Sequence, residues 1–474
     1  MLKNVGFIAA ASLFVWNFCT QSSTHTAEVT QIVLNEEAPE ALYKQYCASC
    51  HGEKVEMFVD RSWKYGNAKP QLIKSITQGS LDNGMPAWGE VLSAQEIDAL
   101  AGLIVEKLAT VSQYQFNNKP QTAIFESSAG TLRMDTLATG LTSPWGIEQL
   151  PDRSLLVTDR SGKLYHVSTN GQKKEVSGVP EVVAEGQGGL LDITLHPQFE
   201  KNNWVYLSYS KGKMEGGQKL ATTAIYRAKW SNGQLVEGQD IFVGEPWSRT
   251  RYHFGSRIVF DKKGYLFFTM GDRGNQQDNP QNLSSDAGKV HRIHEDGKIP
   301  VDNPFLKTKG ARPTIYSYGH RNPQGLVYLA ERDELWAHEH GPRGGDEINI
   351  VKKGHNYGWP VISYGINYDG KAFTNLTAKE GMDQPVIYWI PSIAPSGMTF
   401  VTSDKYPTWK GDLFSGSLRF KYLNRSVMSG QKVKEEIKEL PNVGRMREVF
   451  QGRDGYLYLG LEEPGLVVRV NSGK

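Results

Sequence analysis

The chain runs to 474 residues, with 53 Lys and Arg against 51 Asp and Glu and a formal net charge of +2. That balance excludes both the dense basic face of a nucleic-acid binder and the acidic excess of a solvating tail. The 3 Cys are too few for a disulfide scaffold, while 49 Gly and 11 Trp suit a turn-rich, aromatic, largely β protein.

The first residues read as an export segment. Lys3 precedes the apolar run VGFIAAASLFVWNF, too short for a comfortable membrane span. Two readings stay open. One is a signal peptide over 1–27, cut near Ala27; the other is a lipoprotein signal ending before a lipid-anchored Cys19, although the preceding WNF lacks the small residues usual there. Both imply an exported, periplasmic chain, the second with a membrane anchor.

YCASCHG, at 46–52, follows closely. Cys47 and Cys50 on one helical turn can form thioethers to a haem, and His51 can reach the iron as its proximal ligand. Met85, between a Gly and a Pro in DNGMPAWG, is the expected sixth ligand; Met57 is the weaker candidate because it lies so close behind His51. Zinc would need about four ligands, and there is no second Cys pair. A thioredoxin-like pair would need a βαβ context that is absent. SAQEIDALAGLIVEKL then predicts a closing helix, with Ser93 and Glu96 as a capping box and Ile97, Leu100, Ala101, Ile104, Val105 and Leu108 on one face. Residues 38–110 thus resemble a small, all-α class I cytochrome c domain carrying haem c.

A polar stretch over 111–130 reads as a linker. Beyond it one phrase recurs: DRSLLVTDRSG, NNWVYLSYS, KKGYLFFTMGD, RDELWAHEHG, GDLFSGSLRF and RDGYLYLGLEE. Leu155, Val205, Leu266, Leu335, Leu413 and Leu457 mark its recurrences, at a spacing suited to one four-stranded blade each. The expectation is an all-β six-bladed β-propeller over 131–474, with a β-sandwich or two smaller β-domains as the alternative.

Five further motifs carry a resemblance: EGQGGLLDITLHPQF (185–199), YHFGSRIVFD (252–261), SYGHRNPQGL (317–326), HEHGPRGGDEINI (338–350) and GHNYGWP (354–360). Together they resemble the soluble glucose and aldose sugar dehydrogenases that depend on pyrroloquinoline quinone (PQQ). The resemblance spans the whole expected propeller. PQQ is a flat quinone with several carboxylates, so its site requires planar, bidentate cations. The resemblance implies contacts from Arg321, Asn322, Arg445 and Arg447, with Gln187 near the substrate and cofactor edge. Arg419 falls where the family usually has Lys. Gly341 and Pro342 are implied to hold Ca2+ through backbone oxygens, with His340 where the glucose enzyme has Gln; Asp346 and Glu347 are not assigned as ligands. Trp389 is the candidate aromatic cover for the quinone or sugar.

His253, in YHFGSR, takes the position of the family's catalytic base, and an imidazole suits the removal of a hydroxyl proton during hydride transfer. Asp272 is implied to support it. His196 and His320 read as structural. Tyr252 replaces an Asp of the glucose enzyme, which leaves the sugar preference open. The resulting expectation is a quinohaemoprotein that oxidises aldose sugars at C1, passes electrons to its own haem c, and then to an external cytochrome, copper protein or respiratory component. A calcium-dependent lactonase-type hydrolase and a non-catalytic binding propeller with a haem sensor are the alternatives.

Overall fold

The computed structural model describes residues 39–51, 55, 58, 63, 65–79, 85–113, 123–274, 277–367 and 372–472. The expected export segment, Cys19, Met57 and the side chain of Cys50 lie outside the described residues.

The N-terminal part is helical: α1 Pro39–Tyr46, α2 Ala48–His51, α3 Lys69–Gln78 and α4 Ala94–Gln113. The start of α4 follows its local sequence. Ser93 N donates to Glu96 Oε2 at 2.7 Å and Glu96 N donates back to Ser93 Oγ at 3.2 Å, the expected reciprocal cap. Ile97, Leu100, Ala101 and Ile104 then face one core with Leu42 and Tyr43 of α1 and Leu72 and Ile76 of α3. Among the described residues no helix is long and apolar enough to cross a membrane.

Six antiparallel sheets follow, five of four strands and one of five. Their first strands are Pro144–Gln149, Leu190–Leu195, Ile258–Phe260, Pro323–Leu329, Pro395–Phe400 and Met446–Gln451. Each of these touches the first strand of the next sheet, and the last touches Pro144–Gln149, so the ring closes as a six-bladed β-propeller. The recurring phrase of the sequence is the second strand of each blade, since Leu155, Val205, Leu266, Leu335, Leu413 and Leu457 all fall on one. Those strands lie between neighbouring blades and are covered on both faces. LLVTD and LYLGL are buried at every position, which is why they read as continuous apolar runs. Outermost strands behave oppositely: KVKEEIKE (Lys432–Glu439) is charged and mostly exposed, which protects the edge from pairing.

Closure also corrects a boundary. The five-stranded blade joins Ile124–Ser127 and Gly130–Ala138 to the C-terminal strands Leu466–Ser472, Leu457–Leu461 and Met446–Gln451. Residues 111–130 are therefore not all linker, and the propeller begins at Ile124 rather than 131. IFES is short and half exposed, so its sequence has no strand-like apolar run to reveal it.

Candidate active site

In an antiparallel blade the start of the first strand and the end of the second lie at the same end. At that end the loops entering the first strands bring Gln187, His253, Arg321, Asn322 and Arg445, and those leaving the second strands bring Arg160, Asp272, His340 and Glu462. A cavity of about 600 Å³ opens there, with Gln187, Asn322, Arg445 and Arg447 in its wall as expected, beside Trp145 and Phe254.

His253 directly precedes Phe254 of the wall and takes a left-handed conformation, φ 53°, which costs a non-glycine residue roughly 1–2 kcal/mol. Its surroundings fix that geometry. The His253 amide donates to Gln187 Oε1 at 2.8 Å, and its Nδ1 lies 2.6 Å from Asp272 Oδ1. Asp272 is fully buried; its Oδ2 accepts from Trp359 Nε1 at 2.8 Å and its Oδ1 from Gly274 N at 2.7 Å. With Nδ1 engaged, Nε2 is the nitrogen left to work as a base. Burial, then the positive charge of Arg321, lower the His253 pKa below its ordinary value, against the opposing pull of Asp272.

The cationic wall is neutralised in part from within. Glu462 accepts from Arg447 Nε at 2.9 Å and from Arg445 Nε at 3.1 Å. Burial alone would raise its pKa, but Arg447, Arg445 and Ser143 hold it down to about 2. Arg447 also donates to Gln324 Oε1 at 2.9 Å, while Arg257 packs over Trp145 with its carbon 4.1 Å from the ring and bonds Asp192 and Glu448. The guanidinium groups of Arg160, Arg445 and Arg447, together with amides and two aromatic rings, fit a flat polyanion such as PQQ.

One expectation is corrected by placement. Trp389 does not face the cavity: it ends an outermost strand, packs with Trp336, Phe420 and Tyr422, and donates its indole N–H to Glu436 at 2.5 Å. Its indole is turned instead to the neighbouring blade, where Glu436 lies. Leu418 lines the cavity, but Arg419 beside it is exposed and bonds Ser392 O at 3.1 Å. Gly341 and Pro342 supply only carbonyls, and Gly341 O already accepts from Arg321 Nη1 at 2.5 Å. Asp346 is committed to Gly341 N, Ser392 and Ala394 N, and no group of three or more His, Cys, Asp or Glu converges on a metal position among the described residues.

His196 and His320 are structural as expected, the first bonded to Glu295 and Asn202, the second to Ser317 and Glu339. In the helical part, His51 N donates to Cys47 O at 2.9 Å, which continues the helical turn through the CxxCH motif. The His51 ring lies 4.9 Å from that of Phe58, and Cys47, Met85 and Trp88 pack against one apolar cluster. Cys47, His51 and Met85 thus border a common apolar surface, which fits haem c.

Comparison with known proteins now decides the family. Residues 141–469 match the family described as Glucose / Sorbosone dehydrogenase. The chain belongs to that family. Residues 35–104 match the description Cytochrome C oxidase, cbb3-type, subunit III, so a cytochrome c domain precedes the dehydrogenase propeller. The chain is 43% identical over 344 residues to aldose sugar dehydrogenase YliI of Escherichia coli, a match covering 71% of this chain and 92% of that one. It superposes on the apo-form crystal structure of the E. coli soluble aldose sugar dehydrogenase with a TM-score of 0.68 and 40% identity, over 72% of this chain and 100% of the other. The PQQ-bound aldose sugar dehydrogenase of Streptomyces coelicolor is similar at a TM-score of 0.58 and 29% identity, over 72% and 98%.

Within this dehydrogenase propeller, sequence reasoning missed Arg160, Trp145, Trp359 and Glu462. Arg160 had a signal: TDRSG and MGDRG occupy the same place after the second strand, so the repeat itself pointed to the cavity end. Trp359 sat within a quoted motif, but its bond to Asp272 crosses 87 residues and no local pattern encodes it.

Proposed function

We propose that the chain oxidises aldose sugars at C1 with PQQ in the arginine-lined cavity and delivers the electrons to its own haem c domain. The observation that carries this reading is the Trp359, Asp272 and His253 relay, bonded to Gln187 and adjoining Phe254 of that cavity's wall, in a chain that also bears a CxxCH motif. When bound, PQQ would supply an acceptor for the hydride of the sugar carbon, and haem c a one-electron carrier. His253 Nε2 takes the C1 hydroxyl proton as the hydride leaves, and Asp272 stabilises the imidazolium formed. Gln187 keeps the His253 backbone in place, Arg445 and Arg447 would meet cofactor carboxylates, Asn322 completes the wall, and Arg321 bonds the His340 and Gly341 carbonyls beside it. Cys47, Cys50, His51 and Met85 would hold the haem.

Tethering gives the acceptor an effective concentration in the millimolar range for a short flexible linker. Export to the periplasm belongs to the same proposal, as does an external cytochrome, copper protein or respiratory component as final acceptor. Calcium enters only as a third party to cofactor binding, with Gly341 and Pro342 carbonyls needing cofactor oxygens to complete the shell. No step is assigned to it.

The test is stopped flow on the haem-loaded chain with PQQ and calcium, mixed anaerobically with aldoses while the haem α-band is followed. Reduction that needs PQQ and vanishes in His253→Ala supports the whole reading. Dye reduction with the haem left oxidised would remove the internal relay, and no reduction of either would remove the dehydrogenase.

A further inference from the structure

Arg273 is the large cationic side chain that the catalytic reading leaves unused. It follows Asp272 directly, is fully buried, and sits in the left-handed region at φ 69°. Its Nη1 donates to Tyr252 O at 2.7 Å and its Nη2 to Thr250 O at 3.0 Å, while Thr250 Oγ1 returns a bond to Arg273 O at 2.8 Å. The guanidinium carbon lies 3.7 Å from the ring centre of Phe254, whose ring lines the cavity. Its Nε makes no hydrogen bond among the described residues.

A buried guanidinium with one donor unsatisfied is an expensive way to hold a surface loop. Its placement has a different logic. Both of its acceptors lie in the segment that ends at His253, and Gln187 grips the same segment from the other side through the His253 amide. The two grips hold a base whose own backbone is in an unfavourable conformation. The charge is also fixed behind Phe254, on the protein side of the base.

We propose that Arg273 is the positioning residue for the base: its fork ties down the Thr250 and Tyr252 carbonyls and keeps a fixed positive charge behind His253. This rests on His253 being the base. The charged groups near His253 are Asp272, Arg321 and Arg273; Arg251, two residues earlier, is paired with Glu185, which also binds Lys219. Burial and Arg321 are the larger causes that hold His253 neutral, and the Arg273 charge adds to them in the same direction.

The test uses the full haem-loaded chain with two variants. R273M removes both donors and the charge; R273K keeps an amine but not the two-pronged geometry. In R273M, kcat/KM should fall at least about tenfold, by misplacement of the base, and the acid limb of its pH profile should move to higher pH. Independently of turnover, the His253 imidazole resonance, identified by its absence in H253Q, should titrate at higher pH in R273M than in the parent. R273K should lose kcat/KM as well, with KM changing less than kcat. A lower kcat/KM with an unshifted His253 titration would reduce Arg273 to a structural role and overturn the proposal, as would an R273K that matches the parent. If R273M does not fold, the R273K comparison decides. A parent with no aldose activity would sink the proposed function, while the His253 titration would still decide whether Arg273 sets the charge on this histidine.

Discussion

At the scale of single residues, the site is a set of side chains whose protonation is fixed by their neighbours. As the proposed base His253 must be neutral, and burial with the Arg321 charge lowers its pKa below the ordinary 6.5. Activity is therefore present above that lowered value and lost as pH falls through it. The acid limb of kcat/KM should lie below 6.5, and His253→Ala should cost about 10²–10⁴ in kcat, both read from steady-state pH profiles. Glu462 shows the reverse sign. Held at about 2 against an ordinary 4.5, it adds stability above 4.5 that is lost as pH falls toward 2. Glu462→Ala leaves Arg447 buried without its partner and should destabilise by roughly 3–5 kcal/mol near neutral pH. Urea unfolding should show that penalty shrinking in acid. The pairing of His253 with Asp272 was readable because both sit in motifs of the family resemblance; Trp389 misled because an aromatic in a strand looks alike whether it faces a cofactor or a neighbouring blade.

At the scale of elements, blade identity was legible and blade closure was not. Second strands are buried on both faces, so their apolar runs recur visibly at each blade. The closing strand Gly130–Ala138 pairs with Leu466–Ser472 across almost the whole propeller, through Leu132↔Ser472 to Ala138↔Val467. Nothing local marks such a pairing. Leu132 is fully buried among Trp409, Val449 and Val468, residues of the last two blades that lie nearly three hundred or more residues further along the chain. Leu132→Ala should cost about 2–5 kcal/mol, measured by denaturant unfolding, and should loosen the seam that closes the propeller.

At the scale of the whole molecule, two domains with distinct chemistry occupy one chain, the cytochrome c match at 35–104 and the dehydrogenase match at 141–469. The proposed cofactor binds the propeller, and ligand binding stabilises by mass action. PQQ with calcium, at about a hundred times the Kd, should raise propeller stability by about 2.7 kcal/mol. Calcium alone should leave its melting temperature unchanged, since the Gly341 and Pro342 site offers the ion carbonyls, of which Gly341 O is already bonded to Arg321. Differential scanning calorimetry with each addition separates the two cases; a rise with calcium alone would show a cage made by the protein itself.

What the sequence by itself determined is whatever is encoded within one turn or one strand. Cys47 and His51 share a helical turn, Ser93 and Glu96 cap a helix, and six apolar phrases announce six blades, because local spacing sets which side chains share a face. Only the tertiary structure decided what lies opposite what. It placed Trp359 against Asp272, Arg160 in the cavity wall, Glu462 between two arginines and Trp389 away from the site. Those contacts join blades far apart in the chain, and ring closure, not sequence separation, sets which side chains meet at the propeller's axis.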